Sequence, residues 1–504
     1  IITKNFKKGI ESGKIFELAN AYFPKERPIT SLPLERQTIV LGAWGEKENF
    51  FTKNKKIILG ILITLLWLVV WRIATHIQLP FLNYELPEGS TDQGLFGFLD
   101  IFSGGALSSF SIAALGISPY ITSSIVVQLL QMDIIPQFKE WAEEGEAGKE
   151  KLNRWTRYIA LFLAFVQALA LVIGYKASYG TYYFVTIENM DYNSPFIYIF
   201  LALIITAGTA FVLWVADQIT MKGVGNGSSL LIVAGIIVGF PTMISAMYNY
   251  FVKGEYFTAA QKLFGHEVAA NHMQIIGWVL FIAMILFFVL IICGVVWMEG
   301  LVRKIPIQYS NRPAAAKIRG NQDSNMPIKL NSASVIPVIF ASTLLSLPTT
   351  VINFVSQQGS VTGEWVTWLN RIFNYDEPIG FAIYVILIFV FAFFYSFLQI
   401  DPDKVADNLK KNNAYIPGVK PGEATAQFIS KTLFKVTLLG ATYLVVLASL
   451  PIIVSWCFSG IGGGLPASVQ IGGTSLMIVV GVALETVKQI KTQAQSQEYK
   501  GFLK

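Results

Sequence analysis

The sequence has few charged residues and very few residues that could form disulfides or bind metals. Only 14% of its 504 residues are charged, against roughly a quarter in an ordinary soluble domain. Cys293 and Cys457 lie far apart in apolar stretches, which excludes a disulfide framework, and we expect both to be buried packing residues. The histidines His76, His266 and His272 lack metal-ligand spacing such as HExxH, so no metal site is predicted.

The sequence shows no recognisable catalytic or nucleotide-binding motif. The glycine-rich segment Lys222–Ser229 lacks the GxxxxGK[ST] pattern that cradles phosphates. No Ser/His/Asp or Cys/His grouping stands out. We therefore predict that the chain is not an enzyme and binds no cofactor, and that a partner supplies the energy for any directed work.

Long apolar stretches are abundant, and 53% of the residues are hydrophobic. A helix of about 20 apolar residues crosses a bilayer, which predicts ten membrane-spanning helices. The predicted spans are 57–75, 105–131, 155–175, 194–216, 227–249, 275–297, 333–355, 379–399, 436–457 and 469–487. The polar leader lacks the apolar core of a signal peptide, so we expect insertion to use the first span itself.

Basic residues predict the orientation of these spans. Of the 38 Lys and Arg residues, 33 lie in the two terminal segments and in alternate loops, which an even number of spans puts on one side. The positive-inside rule makes this side cytoplasmic, with both termini there.

The spans themselves carry almost no charge, and none falls between Lys435 and Glu485. Ion-coupled transporters usually keep ionisable groups near the midplane, so this pattern disfavours a solute transporter. It fits a pore that passes varied cargo without binding it. A third hypothesis, an insertase or scaffold without a through-pore, would present a groove open to lipid.

Several segments between the spans carry signals of their own. The run "GLFGFLDIF", from Gly94 to Phe102, is too short to cross a bilayer and predicts a re-entrant or plug-like helix buried in protein. The loops 298–332 and 401–431 are long, polar and basic, without an apolar core, which favours docking surfaces over disordered segments. Residues 1–50 are interpreted as a surface helix or loosely ordered leader, with a dedicated partner site as the alternative.

Six motifs, in order along the chain, resemble the SecY family, whose members form the pore of the bacterial protein-secretion channel. They are "FSGGALSSFSIAALGISPYITSSIVVQLLQ" (102–131), "EEGEAGKEKLNRWTRY" (143–158), "ITMKGVGNGSSLLIVAGI" (219–236), "PIKLNSASVIPVIFA" (327–341), "ADNLKKNNAYIPGVKPGEATAQFI" (406–429) and "IGGTSLMIVVGVALET" (471–486). The resemblance runs from about Lys55 to Lys504.

The resemblance implies an all-α integral membrane protein, with about ten transmembrane helices in two pseudosymmetric five-helix halves. These surround a central hourglass pore with a short plug helix. The implied division is an N-terminal extension of unknown role (1–50), an N-terminal half (51–250), a sixth helix with a basic loop (251–332), and the rest of the C-terminal half (333–504).

The family's pore is closed at its waist by a ring of aliphatic side chains. The matching positions are Ile117, Ile121, Ile232, Ile339 and Ile478. Branched apolar side chains exclude water, and a dewetted constriction blocks ions. Ile117 and Ile121 are four residues apart and so would stack on one helix face.

The resemblance also assigns a plug and a lateral gate. The plug matches Gly94 to Gly104, with Gly94, Phe96, Phe98, Leu99, Phe102 and Gly104 as its named residues. The gate opens between spans two/three and seven/eight and exposes signal peptides to membrane lipids. Its polar candidates are Thr122, Gln128 and Asn331, which could instead join helices by hydrogen bonding.

The two basic loops match surfaces where the family docks the SecA ATPase and the ribosome. The candidate docking residues are Arg303, Lys304, Lys410, Lys411 and Lys420. The family usually has GIRPG where this chain has Val419 and Lys420, and Lys lacks the planar guanidinium fork of Arg.

The resemblance further implies a heterotrimer with SecE and SecG in the bacterial plasma membrane. Such a channel translocates unfolded secretory precursors and inserts membrane proteins. The departure at Lys420 and the unusual leader leave open an accessory paralogue that serves a restricted cargo set.

Overall fold

The computed structural model describes most of the chain after residue 54. The described residues are 55–82, 100, 103–131, 135–179, 195–253, 262–263, 266–267, 270–309, 324–357, 364–374, 377–462 and 467–501. The predicted N-terminal extension lies outside them. Residues 60–504 form one compact unit.

The described residues are mostly helical. The helices are α1 (Lys55–Ala74), α2 (Ser118–Leu130), α3 (Pro136–Glu143), α4 (Glu146–Tyr179), α5 (Pro195–Lys222), α6 (Gly227–Phe251), α7 (Ala270–Gly300), α8 (Ile336–Gln357), α9 (Glu364–Phe373), α10 (Pro378–Gln399), α11 (Pro402–Lys411), α12 (Glu423–Gly462) and α13 (Ala467–Gly501). The strands are β1 (Lys262–Leu263), β2 (His266–Glu267), β3 (Val302–Tyr309), β4 (Ser324–Lys329) and β5 (Ala414–Tyr415).

Seven of the described helices are long and apolar enough to cross a membrane, which confirms a multi-pass membrane protein. They are α1, α4, α5, α6, α7, α10 and α12. Each coincides with one of the ten predicted spans. The remaining three predicted spans overlap α2, α8 and α13, so a helix lies in every predicted position.

The prediction of a continuous helix over 105–131 is wrong, because α2 begins only at Ser118. Residues 104–117, which we call the turn segment, form successive turns. Gly104, Gly105 and Gly116 have positive φ values of 73°, 80° and 54°, which glycine adopts without strain. Hydropathy does not register this backbone requirement, so an apolar turn and an apolar helix look alike in the sequence.

The turn segment obtains its backbone hydrogen bonds from the residues that follow α1. The Leu79 amide donates to the Phe110 carbonyl at 2.8 Å, and the Ile112 amide donates to the Ile77 carbonyl at 2.9 Å. Non-helical backbone at membrane depth requires such partners inside the protein. On α5, a Cβ at Gly208 would lie 1.9 Å from the Ile112 carbonyl oxygen, so glycine allows the helix to pass against this backbone.

The two basic loops were predicted to lack an apolar core, and this is wrong. Strand β3 pairs antiparallel with β4 on one side and with β5 on the other, so the two loops join in one three-stranded sheet, here called the basic sheet. It adds a small β element to the predicted all-α fold. Its core comprises Ile305, Ile328, Ile416, Ile429, Leu433 and Val436.

The main apolar core, which we call the main core, lies among the long helices and contains Ile291 of α7, Ile388 of α10 and Leu444 of α12. The outward helix faces are also apolar, as on α1, where Leu62 is 58% exposed. Cys293 and Cys457 are exposed, so the prediction that they are buried is wrong. A lipid-facing helix surface accepts an uncharged thiol without any protein cover.

Candidate functional site

Four helices form a closed circuit of contacts around the position of the predicted pore. Helix α2 packs against α8, and α13 packs against α6. A Cβ at Gly481 of α13 would lie 3.0 Å from Cγ1 of Val335, which immediately precedes α8. Between α6 and α2, a Cβ at Gly104 would lie 3.3 Å from the Gly235 Cα atom of α6, so the turn segment completes the circuit.

Four isoleucines of the predicted ring lie on these helices, the fifth, Ile117, immediately precedes α2, and all five belong to the main core. Their exposed fractions are 2% for Ile117, 9% for Ile121, 5% for Ile232, 8% for Ile339 and 3% for Ile478. A closed ring requires all of its members to be buried in this way. Ordinary core residues would be buried to the same degree, so the ring stays a prediction.

Ile117 stands at the boundary between the turn segment and α2, as the residue that precedes the first helical one. Its carbonyl accepts hydrogen bonds from the Tyr120 and Ile121 amides, at 3.1 and 3.2 Å. Ile121 therefore sits one helical turn beyond Ile117. Both side chains come from the point where irregular backbone becomes helix.

Of the named plug residues, the structure describes Gly104, whereas Gly94, Phe96, Phe98, Leu99 and Phe102 lie outside the described residues. The Gly104 carbonyl accepts a hydrogen bond of 2.7 Å from Nη1 of Arg72 at the end of α1. A Cβ at Gly104 would lie 2.7 Å from Cη2 of Trp71. The end of the predicted plug is thus held between α1 and α6, beside Gly235 and one turn from Ile232.

The helices that would form the predicted lateral gate are in contact. Both α2 and α4 pack against α8, and this contact is called the seam. Thr122 is buried and donates to the Ser118 carbonyl at 3.2 Å, and Nε2 of Gln128 donates to the Ser124 hydroxyl at 3.1 Å. Both bonds stay within α2, so they do not link the two sides of the seam.

Asn331 is buried and belongs to a cluster of polar residues that the sequence analysis missed. Its Nδ2 donates to Oε1 of Glu299 at 2.9 Å and to the Ser334 carbonyl at 3.1 Å. Nζ of Lys488 donates to the Glu299 carbonyl at 3.1 Å and lies 4.0 Å from Oε2. These three residues, the Glu299 cluster, join the end of α7, the approach to α8 and α13.

Glu299 is 7% exposed, and a buried carboxylate is costly unless it is paired and hydrogen-bonded. A signal for it existed in the sequence, because Glu299 is an acidic residue at the end of the apolar run that forms α7. Its partner Lys488 lies 189 residues away, and no local pattern connects the two.

The five docking candidates are all exposed, and the structure brings them together on the basic sheet and its flanks. Arg303 and Lys304 lie on β3, while Lys410 and Lys411 end α11. Lys420 lies in the turn between β5 and α12, where its carbonyl accepts a hydrogen bond of 2.8 Å from the Thr425 hydroxyl. The sequence placed these residues in two separate loops.

A cavity of about 900 Å³ opens where α10 ends and α11 begins. One wall is aromatic, from Phe393, Phe394 and Phe397 near the end of α10, and the opposite wall includes Lys139 of α3 and Lys149 of α4. The cavity therefore has α3 and α4 on one side and α10 and α11 on the other.

Comparison with known proteins gives a consistent result. The family model described as SecY matches residues 111–487. The protein translocase subunit SecY of Halalkalibacterium halodurans is 42% identical over 444 residues, covering 88% of this chain and 96% of that protein. The subunit of the same name from Bacillus subtilis is 41% identical over 445 residues, with coverage of 88% and 96%.

Two solved structures show the same fold at low sequence identity. One, described as the structure of a protein conducting channel, matches with a TM-score of 0.57 and 18% identity, covering 88% of this chain and 93% of that one. The other, Sec61 in the canine ribosome-channel complex from the endoplasmic reticulum, has a TM-score of 0.52 and 17% identity with the same coverage.

Proposed function

The chain belongs to the SecY family, and on that premise we propose that it is the pore-forming subunit of a protein-conducting channel. It passes unfolded secretory precursors across the bacterial plasma membrane and inserts membrane proteins into it. The relatives described above carry the name of the general translocase subunit, which favours this function over an accessory channel for a restricted cargo set.

The observation that supports the proposal is that all five isoleucines are buried in the main core, in the segments that form the circuit of α2, α6, α8 and α13. Aliphatic side chains at a constriction exclude water and so block ions while the channel is idle. They offer no hydrogen bonds to cargo, so an extended chain of any sequence can slide between them. The ring would also close around that chain as a gasket.

The seam gives the channel its second exit, toward lipid. Its helices pack together, which corresponds to a closed gate. Separation of α8 from α2 and α4 would open a path from the pore into the bilayer for a signal peptide. The hydrogen bonds of Thr122 and Gln128 stay within α2, so separation would not break them.

Partner proteins supply the driving force in this proposal. The basic sheet and its flanks present Arg303, Lys304, Lys410, Lys411 and Lys420 to the cytoplasm, where both termini also lie. Acidic surfaces and phosphate-rich RNA are complementary to such a patch, which fits SecA and the ribosome. The Sec61 structure described above is of a ribosome-channel complex, which supports ribosome association. SecE and SecG complete the heterotrimer.

Photo-crosslinking tests the through-pore mechanism. A photoreactive residue replaces Ile121, and a secretory precursor is arrested part-way through translocation. We expect a crosslink to the mature region of the precursor. The matched control carries the same residue at Phe162 of α4, whose side chain is 68% exposed on the outer helix surface and should crosslink to lipid.

A precursor that crosslinks at lipid-facing positions and never at Ile121 would make the through-pore mechanism wrong. An insertase or scaffold with a groove open to lipid would then be the better account. A crosslink at both positions would indicate that part of the arrested precursor has left the pore for the lipid.

A further inference from the structure

Helix α9 lies between α8 and α10 in the chain, on the side of the molecule where α8 ends and α10 begins. The chain enters α8 directly from β4 and leaves α10 directly into α11 and β5, so α9 lies at the face opposite the basic sheet. It packs against both α8 and α10. The position of α9 is therefore at the boundary of the membrane-spanning region, where α8 turns back into α10.

The apolar residues of α9 occupy a wide arc, and the described protein covers only part of it. Val366 is 8% exposed, and Phe373 packs against the main core. Trp365 and Trp368, three residues apart and so on one face, are 52% and 56% exposed. Ile372 lies one turn further on that face and is half-buried. The arc thus has an inner half against protein and an outer half without protein cover among the described residues.

The chemistry of the outer half matches the surface of a lipid bilayer. Tryptophan combines a large apolar ring with one N–H donor and is enriched at membrane interfaces. The Arg371 guanidinium carbon lies 5.9 Å from the ring centre of Trp368, so a cation able to bind phosphate lies beside an exposed tryptophan. Exposed apolar side chains continue along α10 from Ile379 to Val390, so the outer half of α9 adjoins a lipid-facing surface.

We propose that α9 is an interfacial helix, embedded in the headgroup region of the leaflet opposite the basic sheet. Trp365 and Trp368 reach into the acyl boundary, and Arg371 binds lipid phosphate. An amphipathic helix in this position is held by its buried apolar area and by its charge. If the seam opens as in the proposed function, α9 anchors the far ends of α8 and α10 while their other ends move.

Spin-label accessibility tests the lipid contact directly. The background carries Cys293→Ser and Cys457→Ser, which removes the two native cysteines. Single variants Trp365→Cys, Thr367→Cys and Val366→Cys are labelled in the full chain. The protein is reconstituted in vesicles of phosphatidylethanolamine and phosphatidylglycerol.

We expect the label at Trp365 to be relaxed several-fold more by oxygen than by a water-soluble nickel chelate. At Thr367, an exposed position on the polar side, the nickel chelate should relax the label more than oxygen does. At the buried Val366, both reagents should relax the label only weakly. Strong relaxation by nickel at Trp365 would overturn the proposal, because α9 would stand in water. Weak relaxation by both reagents at Trp365 would also overturn it, because protein would cover that face.

This test is independent of translocation. A precursor that crosslinks at Ile121 while Trp365 is accessible to nickel would leave the channel intact and remove the lipid anchor. The opposite pair of results would keep the anchor and remove the channel.

Discussion

Asn331→Ala is expected to destabilise the closed seam, because Asn331 connects the approach to α8 with the end of α7. The side chain of Asn331 donates its 2.9 Å hydrogen bond to a carboxylate that is 7% exposed. Truncation leaves Glu299 with Lys488 as its charged partner at 4.0 Å. We expect the start of α8 to turn relative to the end of α7 when the seam opens, while β3 and β4 stay paired. That turn would break this side-chain bond, so the bond stabilises the closed state selectively.

The size of the effect follows from the chemistry of the bond. A hydrogen bond to a charged group contributes about 1.5–3 kcal/mol. Each 1.4 kcal/mol corresponds to a factor of about ten in an equilibrium constant, so the open-to-closed ratio should rise roughly 10- to 150-fold.

Single-channel recording in planar bilayers, without precursor, measures the open fraction directly. The matched control is Ser332→Ala, which removes an exposed 3.0 Å bond to the Lys329 carbonyl in the same segment. We expect the control to behave like the unmodified protein. An open fraction within about threefold of the control would refute the reasoning, because a bond of about 1.5 kcal/mol or more should exceed that range.

Three further predictions concern the ring, a helix crossing and the basic sheet. Ile121→Ser should wet the ring and raise the resting ion conductance, whereas Ile125→Ser, one turn away, should not; equal conductance in both variants would contradict the ring. Gly208→Ala should lower the unfolding temperature in detergent, because overpacking costs about 1–3 kcal/mol, while Gly294→Ala has open space at its Cβ and should not. Ile328→Ala removes a side chain that is 1% exposed and should cost about 2–5 kcal/mol locally, seen as faster amide exchange in β3; unchanged exchange would show that the sheet does not depend on this core.

The predicted helices followed from local signals, which is why their positions agree with the structure. A stretch such as 275–297 is apolar throughout, and α7 contains it entirely. The break in 105–131 could not be predicted in the same way, because it depends on backbone angles and on partners that follow α1. Glycine at 104, 105 and 116 was visible, but glycine is also common in membrane helices.

The other features could not be predicted from local sequence, because they depend on residues that are far apart in the chain. Strands β3 and β5 are about a hundred residues apart, and the buried positions Ile305 and Ile307 give only a short alternating pattern. The Glu299 cluster likewise joins three distant segments. The ring residues could be placed only by resemblance, because an isoleucine in a pore and an isoleucine in a core have the same sequence environment.

The basic sheet also has a mechanical consequence. Strand β3 follows α7 after one residue, β4 leads into α8, and β5 leads into α12, while α10 reaches β5 through α11. One end of each of these four long helices is therefore tied to the basic sheet. A force applied to any of its strands is shared among all four. A motor that pushes on the basic sheet would therefore move α7, α8, α10 and α12 together. A force on one of the two basic loops would reach all four helices through the sheet and would not need to act through the cargo.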